Sequence, residues 1–418
     1  MKKPTYERAR ALVRRATGPL ASHLDPFIVS LIEQQYRASV TYIKARHGLA
    51  LDRWLAKRRV VLPDLSEAQI ERYQNRCRHR RGSIRIATRQ IERKAVAQLL
   101  EFLRARSVCP AARVVTTAAD DLVARFAQHL QDQQGLAYTT IERYCWVARQ
   151  FLHHRFGRGA VDLRLLRASD AIAFVKRESQ RLQAPALKCV TNSLRSLLRY
   201  AQFRGEVVPA TLAAAVPAVS AWSTTPALPK AISPEHARCA IDSCDLRTHV
   251  GLRDRAVLLL LARLGLRAHE IVALQLGDLD WHRGHIRLRG KGGREQLLPL
   301  PTEVGAAIAA YLQKGRPASH DRHVFLRSQA PIRGLIVGSD VIGSIVRSAL
   351  ERARVAAPHR GSHQFRHALA VNMLQHGASL EEIGEVLRHR SPQTTSIYAR
   401  VDISALRSLA LPWPGGAR

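Results

Sequence analysis

A short run near the C-terminal end, SHQFRHALA, places two histidines and an arginine in a stretch that is otherwise largely apolar. His363 and Arg366 are three residues apart, so on a helix they are neighbours on one face. A histidine and a forked guanidinium at that spacing could hold a phosphate group together. The alternative is a basic surface face without a chemical role.

Other residues in the same half of the chain could take part in phosphate chemistry. Arg267 opens RAHEI, and Glu270 lies one turn further on, where it can pair with the arginine. Lys291 lies in the glycine-rich segment RGKGGR, and His389 and Tyr398 both lie in HRSPQTTSIY. Each residue alone has an ordinary interpretation, as a surface ion pair, a solvated turn, a structural histidine or a packed tyrosine. Their occurrence together, in this order, favours one shared site.

Hydrophobic periodicity and turn residues predict the elements that carry these side chains. A helix is predicted from Leu252 to Gly265, with a short helix beginning at Arg267. Two strands, His285 to Arg289 and Glu295 to Leu300, form a predicted hairpin. Its glycines lack the G-x-x-x-x-G-K-[ST] pattern of a nucleotide-binding loop. Further helices are predicted at 301–314, 339–354, 362–376, 379–388 and 391–398.

Residues 113–212 predict a small helical domain. Thr116 or Thr117 can cap a first helix, Thr139 or Thr140 can open a second, and a third ends at Gly205. The polar face of the third helix carries four cations, which we interpret as a DNA-binding face. These are Lys188, Arg195, Arg199 and Arg204.

Two flanking regions complete the predicted domain organisation. Residues 213–232 are proline-rich and predict a stiff linker, after which a second unit, 233–418, begins at Ser233 and Pro234. Residues 1–112 form a basic, mostly helical N-terminal extension. Cys77 and His79 within it are too few to make a zinc site.

The charge balance indicates a polyanionic partner. The chain has 66 Lys+Arg against 33 Asp+Glu, a formal net charge of +33, and a 46% hydrophobic fraction typical of globular proteins. Like charge at this level disfavours a compact isolated chain and favours nucleic acid over a membrane surface as the partner. The 6 cysteines are scattered, and neither a signal peptide nor a membrane span is apparent. We therefore expect a cytoplasmic protein without a metal site.

Taken together, the candidate residues resemble the tyrosine recombinase (phage integrase) family, whose catalytic domain carries Arg, Lys, His-x-x-Arg, His or Trp, and Tyr in that order. The match falls on LARLGLRAHEIVALQLGDLDW and GKGGREQLLPLP as well as on the two C-terminal motifs. It covers about residues 115 to 405. The matched positions are Arg267, Lys291, His363, Arg366, His389 and Tyr398.

The resemblance implies a mainly α fold with a small antiparallel β-sheet (α+β) in the catalytic domain, preceded by a helical, SAM-like core-binding domain. This chain departs from the family at Arg388, where Leu-Gly-His is frequent, and we expect the extra bulk to lie beside the site but not across it.

The implied reaction cleaves and rejoins DNA through a 3′-phosphotyrosyl intermediate on Tyr398, without ATP, metal or other cofactor. Arg267 and Arg366 would bind the nonbridging oxygens of the phosphate. Both histidines, His363 and His389, could supply further hydrogen bonds. His363 is the expected proton acceptor, and Lys291 would protonate the leaving 5′-oxygen.

The implied partners are double-stranded DNA and three further copies of the chain, as a homotetramer on two DNA sites. Sister recombinases or accessory proteins are further candidates, and contact with them, or with accessory DNA, would explain the N-terminal extension. Its length favours integration or transposition of a mobile element over a chromosome-dimer resolvase. Two alternatives stay open: an architectural or regulatory DNA-binding protein with an inactive site, and a type IB topoisomerase. The apolar tail from Leu406 to Trp413 either packs on its own domain or docks on a neighbouring protomer.

Overall fold

The structure, a computed structural model, describes most of the chain in two compact units. One unit is formed by residues 113–227, and the other by 1–112 together with 228–418. The described ranges are 5–76, 83–111, 117–157, 159–206, 211–219, 231–289, 295–335, 340–357, 361–389 and 391–401, with the backbone alone described at 83–88, 400 and 401. Within these ranges no helix is long and apolar enough to cross a membrane.

The unit 113–227 contains four α-helices among its described residues. They are α6 (Ala118–Asp132), α7 (Tyr138–Phe156), α8 (Ala168–Ser179) and α9 (Ala184–Phe203), numbered after five helices described below. Thr117 caps α6 as predicted, and its hydroxyl accepts from the Asp120 N–H in a capping box. By contrast α7 begins after Ala137, which has no side-chain cap, so neither predicted threonine opens it.

The helix α8 was absent from the predicted elements. Its buried apolar residues, Ala171, Phe174 and Val175, span little more than one turn, which is too short for a clear periodic signal. It packs with α7 and α9 around one apolar core.

The described residues among the first 112 form five helices around an apolar core of their own. They are α1 (Tyr6–Val13), α2 (Ala21–Glu33), α3 (Ala38–Lys57), α4 (Glu67–Asn75) and α5 (Ser83–Ala105). The turn between α2 and α3 contacts the C-terminal half of the chain. There Gln35 Nε2 donates to the Ala318 carbonyl at 2.5 Å, and the Ile332 N–H donates to the Gln34 carbonyl at 3.4 Å.

The C-terminal half combines helices with a three-stranded antiparallel sheet, and the predicted α+β class is confirmed. Its strands, in the order β1-β2-β3, are β1 (Leu279–Asp280), β2 (His285–Arg289) and β3 (Glu295–Pro299). The β2–β3 pair is the predicted hairpin, with Arg289 opposite Glu295. The helices are α10 (Pro234–Asp242), α11 (His249–Leu264), α12 (Ala268–Ala273), α13 (Thr302–Ala310), α14 (Val341–Arg352), α15 (His363–Gln375), α16 (Leu380–Leu387) and α17 (Pro392–Thr395).

The central helix α11 positions the candidate site. Residues 256–261 are fully buried, as expected for a helix that is apolar on every side. The helix ends at Gly265, whose φ of +55° is the left-handed conformation that glycine adopts most readily. A Cβ there would lie 2.8 Å from Leu387 Cδ2, so glycine also permits the end of α16 to approach closely.

Candidate active site

Two consecutive carbonyls at the C-terminal end of α16 bind the two predicted phosphate-binding arginines. Arg366, on the first turn of α15, donates through Nη2 to the Leu387 carbonyl and through Nη1 to the Gly265 carbonyl at 2.5 Å. Arg267, which precedes α12, donates through Nη2 to the Arg388 carbonyl at 3.0 Å. The last carbonyls of a helix lack partners within the helix and carry partial negative charge. The end of α16 therefore orients both guanidiniums, although Arg267 and Arg388 are 121 residues apart in sequence.

A buried carboxylate connects these arginines. Glu270 Oε1 accepts from Arg267 Nη1 at 2.9 Å, which confirms the predicted pair. Glu270 Oε2 accepts from the Arg267 backbone N–H at 2.8 Å and from Arg388 Nη2 at 3.1 Å. Burial by itself would raise the pKa of Glu270, but the Arg267 hydrogen bonds and the Arg388 charge outweigh burial and lower it. Glu270 is therefore ionised at neutral pH and holds two cations.

Arg267, Arg366 and Glu270 form a cluster, and Arg388 is a further member that the sequence pattern did not predict. Arg388 has the left-handed conformation, with φ of +56° and ψ of +49°, at the end of α16. Its guanidinium is buried, and Nη1 donates to the Val386 carbonyl at 3.1 Å and to the Leu264 carbonyl at 3.4 Å. The extra side chain at this position is thus part of the cluster, in contact with Glu270.

Tyr398 lies next to the cluster with its hydroxyl buried. Its side chain packs among Ala370, Ile383 and Leu387 and is 1% exposed. The hydroxyl oxygen is 2.8 Å from His367 Nδ1, a hydrogen bond whose direction depends on the histidine tautomer. Burial raises the pKa of Tyr398 to about 12, although the Arg366 charge acts in the opposite direction. The hydroxyl is therefore neutral at pH 7 and must lose its proton when it attacks.

The two predicted histidines also lie at this site. His389 Nδ1 is 2.7 Å from Thr395 Oγ1, and the His389 and Tyr398 rings stack with centroids 6.5 Å apart. Burial, Arg366 and Arg267 lower the pKa of His389 to about 4, so its imidazole is neutral at pH 7. His363 is exposed, but partial loss of hydration at its ring, followed by the charges of Arg366 and Arg267, also lowers the pKa of its imidazole. Both side chains therefore favour the uncharged form, which can accept a proton.

His367 was not among the predicted site residues. It lies four residues after His363 on α15, and the two ring centroids are 6.4 Å apart. The signal was present in SHQFRHALA, because positions four apart share a helix face. The His-x-x-Arg pattern accounts for the first histidine and the arginine alone, so it gave no reason to select His367.

Two other predictions have separate outcomes. Lys291 lies outside the described residues.

On α9 and at its C-terminal end, Lys188, Arg199 and Arg204 are exposed. Arg195 instead donates through Nη2 to the carbonyls of residues 216 and 217 at 3.0 and 3.1 Å. Its guanidinium therefore holds the segment that follows α9 against the helix.

A cavity of about 1220 Å³ opens beside the cluster. Arg267, Glu270, Arg388 and His389 line it, together with Gln296 from β3 and Ser391 from the segment before α17. A cavity bounded by the guanidiniums of Arg267 and Arg388 and by the neutral imidazole of His389 can bind a phosphodiester and stabilise the charge that develops on it during nucleophilic attack.

Comparisons with known proteins found several recombinases similar to this chain. The model of the phage integrase family matches residues 232–404. An integrase/recombinase of Sinorhizobium fredii is 44% identical over 413 residues, which cover 98% of this chain and 98% of that one. Tyrosine recombinase XerD of Mycobacterium tuberculosis is 31% identical over 309 residues, which cover 69% of this chain and 95% of that one. The structure of XerH recombinase in a post-cleavage complex with its difH substrate shares the fold, with a TM-score of 0.55, 17% identity, and coverage of 73% and 99%.

Proposed function

Because the chain belongs to the phage integrase family of tyrosine recombinases, an enzyme family that cleaves and rejoins DNA, we propose that Tyr398 is its nucleophile. The phenolic oxygen attacks a scissile phosphodiester, forms a 3′-phosphotyrosyl bond and releases a 5′-hydroxyl. Attack by a second 5′-hydroxyl reverses the step on a new partner strand. Because one phosphodiester bond is exchanged for another in each step, the phosphotyrosyl ester conserves the energy of the broken bond and rejoining needs no ATP.

The observation that carries this proposal is the attachment of Arg267 and Arg366 to adjacent carbonyls at the end of α16, beside Tyr398. A phosphodiester is anionic, and attack adds charge to its nonbridging oxygens. Two permanently charged forks held at one point can bind those oxygens with little reorganisation. The site therefore stabilises the transition state more than the free substrate.

Proton transfer is assigned to the histidines and to the hairpin lysine. We propose His363 as the acceptor of the Tyr398 proton, supported by its place on the helix that carries Arg366 and by the direction of its pKa, which favours the uncharged imidazole. His367, which contacts the hydroxyl, holds the tyrosine before attack. Lys291 is proposed as the general acid that protonates the leaving 5′-oxygen, on the family resemblance.

The larger assembly is part of the proposal. Four protomers act on two duplex sites, with a core-binding domain (113–212), a linker (213–232) and a catalytic domain (233–418) in each. Recombination of a mobile element, in the bacterial cytoplasm at the nucleoid, is the proposed role. It is supported by the full-length similarity to the S. fredii integrase/recombinase, which includes the N-terminal extension (1–112). Sister recombinases or accessory proteins are the proposed partners of that extension.

A covalent-trapping experiment tests the chemistry. The substrates are short overlapping duplexes that together cover the DNA on both sides of the gene. Each duplex is nicked close to a candidate cleavage position, so that the fragment released by cleavage diffuses away and the strand cannot be rejoined. The wild-type chain should form a denaturation-resistant protein–DNA adduct on one of them, and Tyr398→Phe should form none. An adduct with Tyr398→Phe would assign the nucleophile elsewhere. Sequence-specific binding without any adduct would support the architectural alternative, and relaxation of supercoils without sequence preference would support the topoisomerase.

A further inference from the structure

Residue 388 contacts Arg267 in two separate ways. Its carbonyl accepts directly from Arg267 Nη2, and its guanidinium donates to Glu270 Oε2, the oxygen that also accepts from the Arg267 backbone N–H. The carbonyl contact would exist with any residue at this position. The contact through Glu270 requires a long cationic side chain.

The backbone at Arg388 is unfavourable for an arginine. A φ of +56° is the left-handed region, which costs a residue with a Cβ free energy that glycine avoids. The side chain is 5% exposed, and its Nε–H has no hydrogen-bond partner among the described residues. A strained backbone and a buried charge both act against stability, so a role in the reaction would explain this residue.

The charge of the cluster depends on this residue. Arg267, Arg366 and Arg388 contribute three positive charges, and Glu270 contributes one negative charge. The four side chains together carry two positive charges, which match the two negative charges of a pentavalent phosphorane. Without Arg388 the cluster would carry a single net positive charge, and Arg267 would be the one arginine of the cluster paired with the Glu270 carboxylate.

We propose that Arg388 is a positioning residue of the recombination reaction: it neutralises and fixes Glu270, so that the Arg267 fork stays directed at the scissile phosphate as negative charge develops. This inference rests on the proposed function. It assigns a specific role to the arginine that stands where glycine is frequent in the family.

The test compares Arg388→Gly and Arg388→Lys with the wild-type chain in single-turnover adduct formation at saturating protein. Glycine keeps the carbonyl contact, relieves the backbone and removes the cation. We expect adduct formation to slow by about 10- to 100-fold, the scale of small misplacements of reacting groups. Arg388→Lys should slow it less, because an ammonium near Glu270 keeps the charge. Protein concentration at half-saturation should stay unchanged, since the substrate is bound mainly through other contacts.

A chemical change in the substrate separates positioning from general damage. A methylphosphonate at the scissile position replaces one charged oxygen with a methyl group, so less negative charge develops during attack. The rate deficit of Arg388→Gly should shrink on this substrate. An equal deficit on both substrates, or wild-type rates for Arg388→Gly, would overturn the inference.

Arg354→Gly is the matched control. Arg354 follows α14, has φ of +53° and is exposed, so the substitution removes the same side chain from the same backbone conformation outside the cavity. It should cleave at the wild-type rate. If Arg388→Gly fails to fold, Arg388→Lys on the two substrates still decides the question. If the wild-type chain itself forms no adduct, the proposed function fails first, which is a distinguishable result.

Discussion

Replacing Arg366 by lysine should make the reaction sensitive to pH in a range where the wild-type site is not. The Arg366 side chain is buried, and one N–H of Nη1 and one of Nη2 donate to the Gly265 and Leu387 carbonyls, which leaves other N–H groups of the fork for a phosphate. Burial, together with the charges of Arg267 and Arg388, lowers its pKa to about 10 from an ordinary value of 12.5. The wild-type guanidinium therefore keeps its charge up to about pH 9.

The expected magnitude follows from these surroundings. A lysine ammonium has an ordinary pKa of about 10.4, and a comparable effect of burial and neighbouring cations would bring it to about 8. Its folded-state pKa is depressed, so the cation is present below about pH 8 and is lost as the pH rises through that value. The ratio of the Arg366→Lys rate to the wild-type rate should be constant at low pH and fall about tenfold per pH unit above about pH 8. Lysine also reaches one carbonyl instead of two, which should destabilise the fold by about 1–3 kcal/mol.

The assay measures the single-turnover rate of adduct formation between pH 6 and pH 9.5 for both proteins, and the ratio removes any pH dependence common to them. Arg347→Lys serves as the control. Arg347 lies on α14, is partly exposed and pairs with Asp340 at 2.6 Å, so its ratio should stay flat. A flat ratio for Arg366→Lys would mean that the cation is solvated in the working enzyme, and would refute the buried cluster as its environment.

Three further experiments test other parts of the site. His367→Gln retains a hydrogen-bonding group near the Tyr398 hydroxyl, whereas His367→Phe leaves that hydroxyl buried without this partner. The phenylalanine variant should therefore be less stable than the glutamine variant by about 1–3 kcal/mol in denaturant unfolding. Equal stability of the two variants would show that the 2.8 Å contact contributes nothing. Arg199→Ala should weaken DNA binding and reduce the salt dependence of the binding constant by about one phosphate contact. Arg195→Ala should instead lower the melting temperature of the protein, because Arg195 bonds to backbone carbonyls. Equal effects of the two substitutions on the salt dependence would contradict their different contacts. Lys291→Ala should slow cleavage by about 10²–10⁴-fold, and a 5′-bridging sulfur, which leaves without a proton, should restore the rate; no restoration would remove Lys291 from the role of general acid.

Several features of this fold could be predicted because their signals are local. The capping threonine at 117, the glycine that ends α11 and the two short runs that pair as β2 and β3 each act within a few residues. A buried helix such as α11 also has an unmistakable apolar run. The weakness of the same signals explains why α8 was missed and why the start of α7 was misplaced by two or three residues.

The residue types suited to phosphate chemistry could likewise be read from order and spacing, since the family motif identifies them one by one. Spacing does not state which group contacts which. His363 and His367 both lie on α15, but the Tyr398 hydroxyl is hydrogen-bonded to His367. The packing of α15 against residues 396–401 brings the His367 side of the helix against the tyrosine. The contact between Arg195 and the carbonyls of residues 216 and 217 depends in the same way on how the chain returns along α9.

The amino-acid sequence thus determined the class of chemistry, because cations, histidines and a tyrosine in this order have few other uses. Which of them cooperate was decided by packing. Gly265 lets the end of α11 approach the end of α16, and there the carbonyls that lack partners within the helix accept hydrogen bonds from Arg267 and Arg366. The left-handed backbone of Arg388 is a property of that junction. An arginine in a sequence gives no sign of it, and so its buried pairing with Glu270 became visible through the tertiary structure.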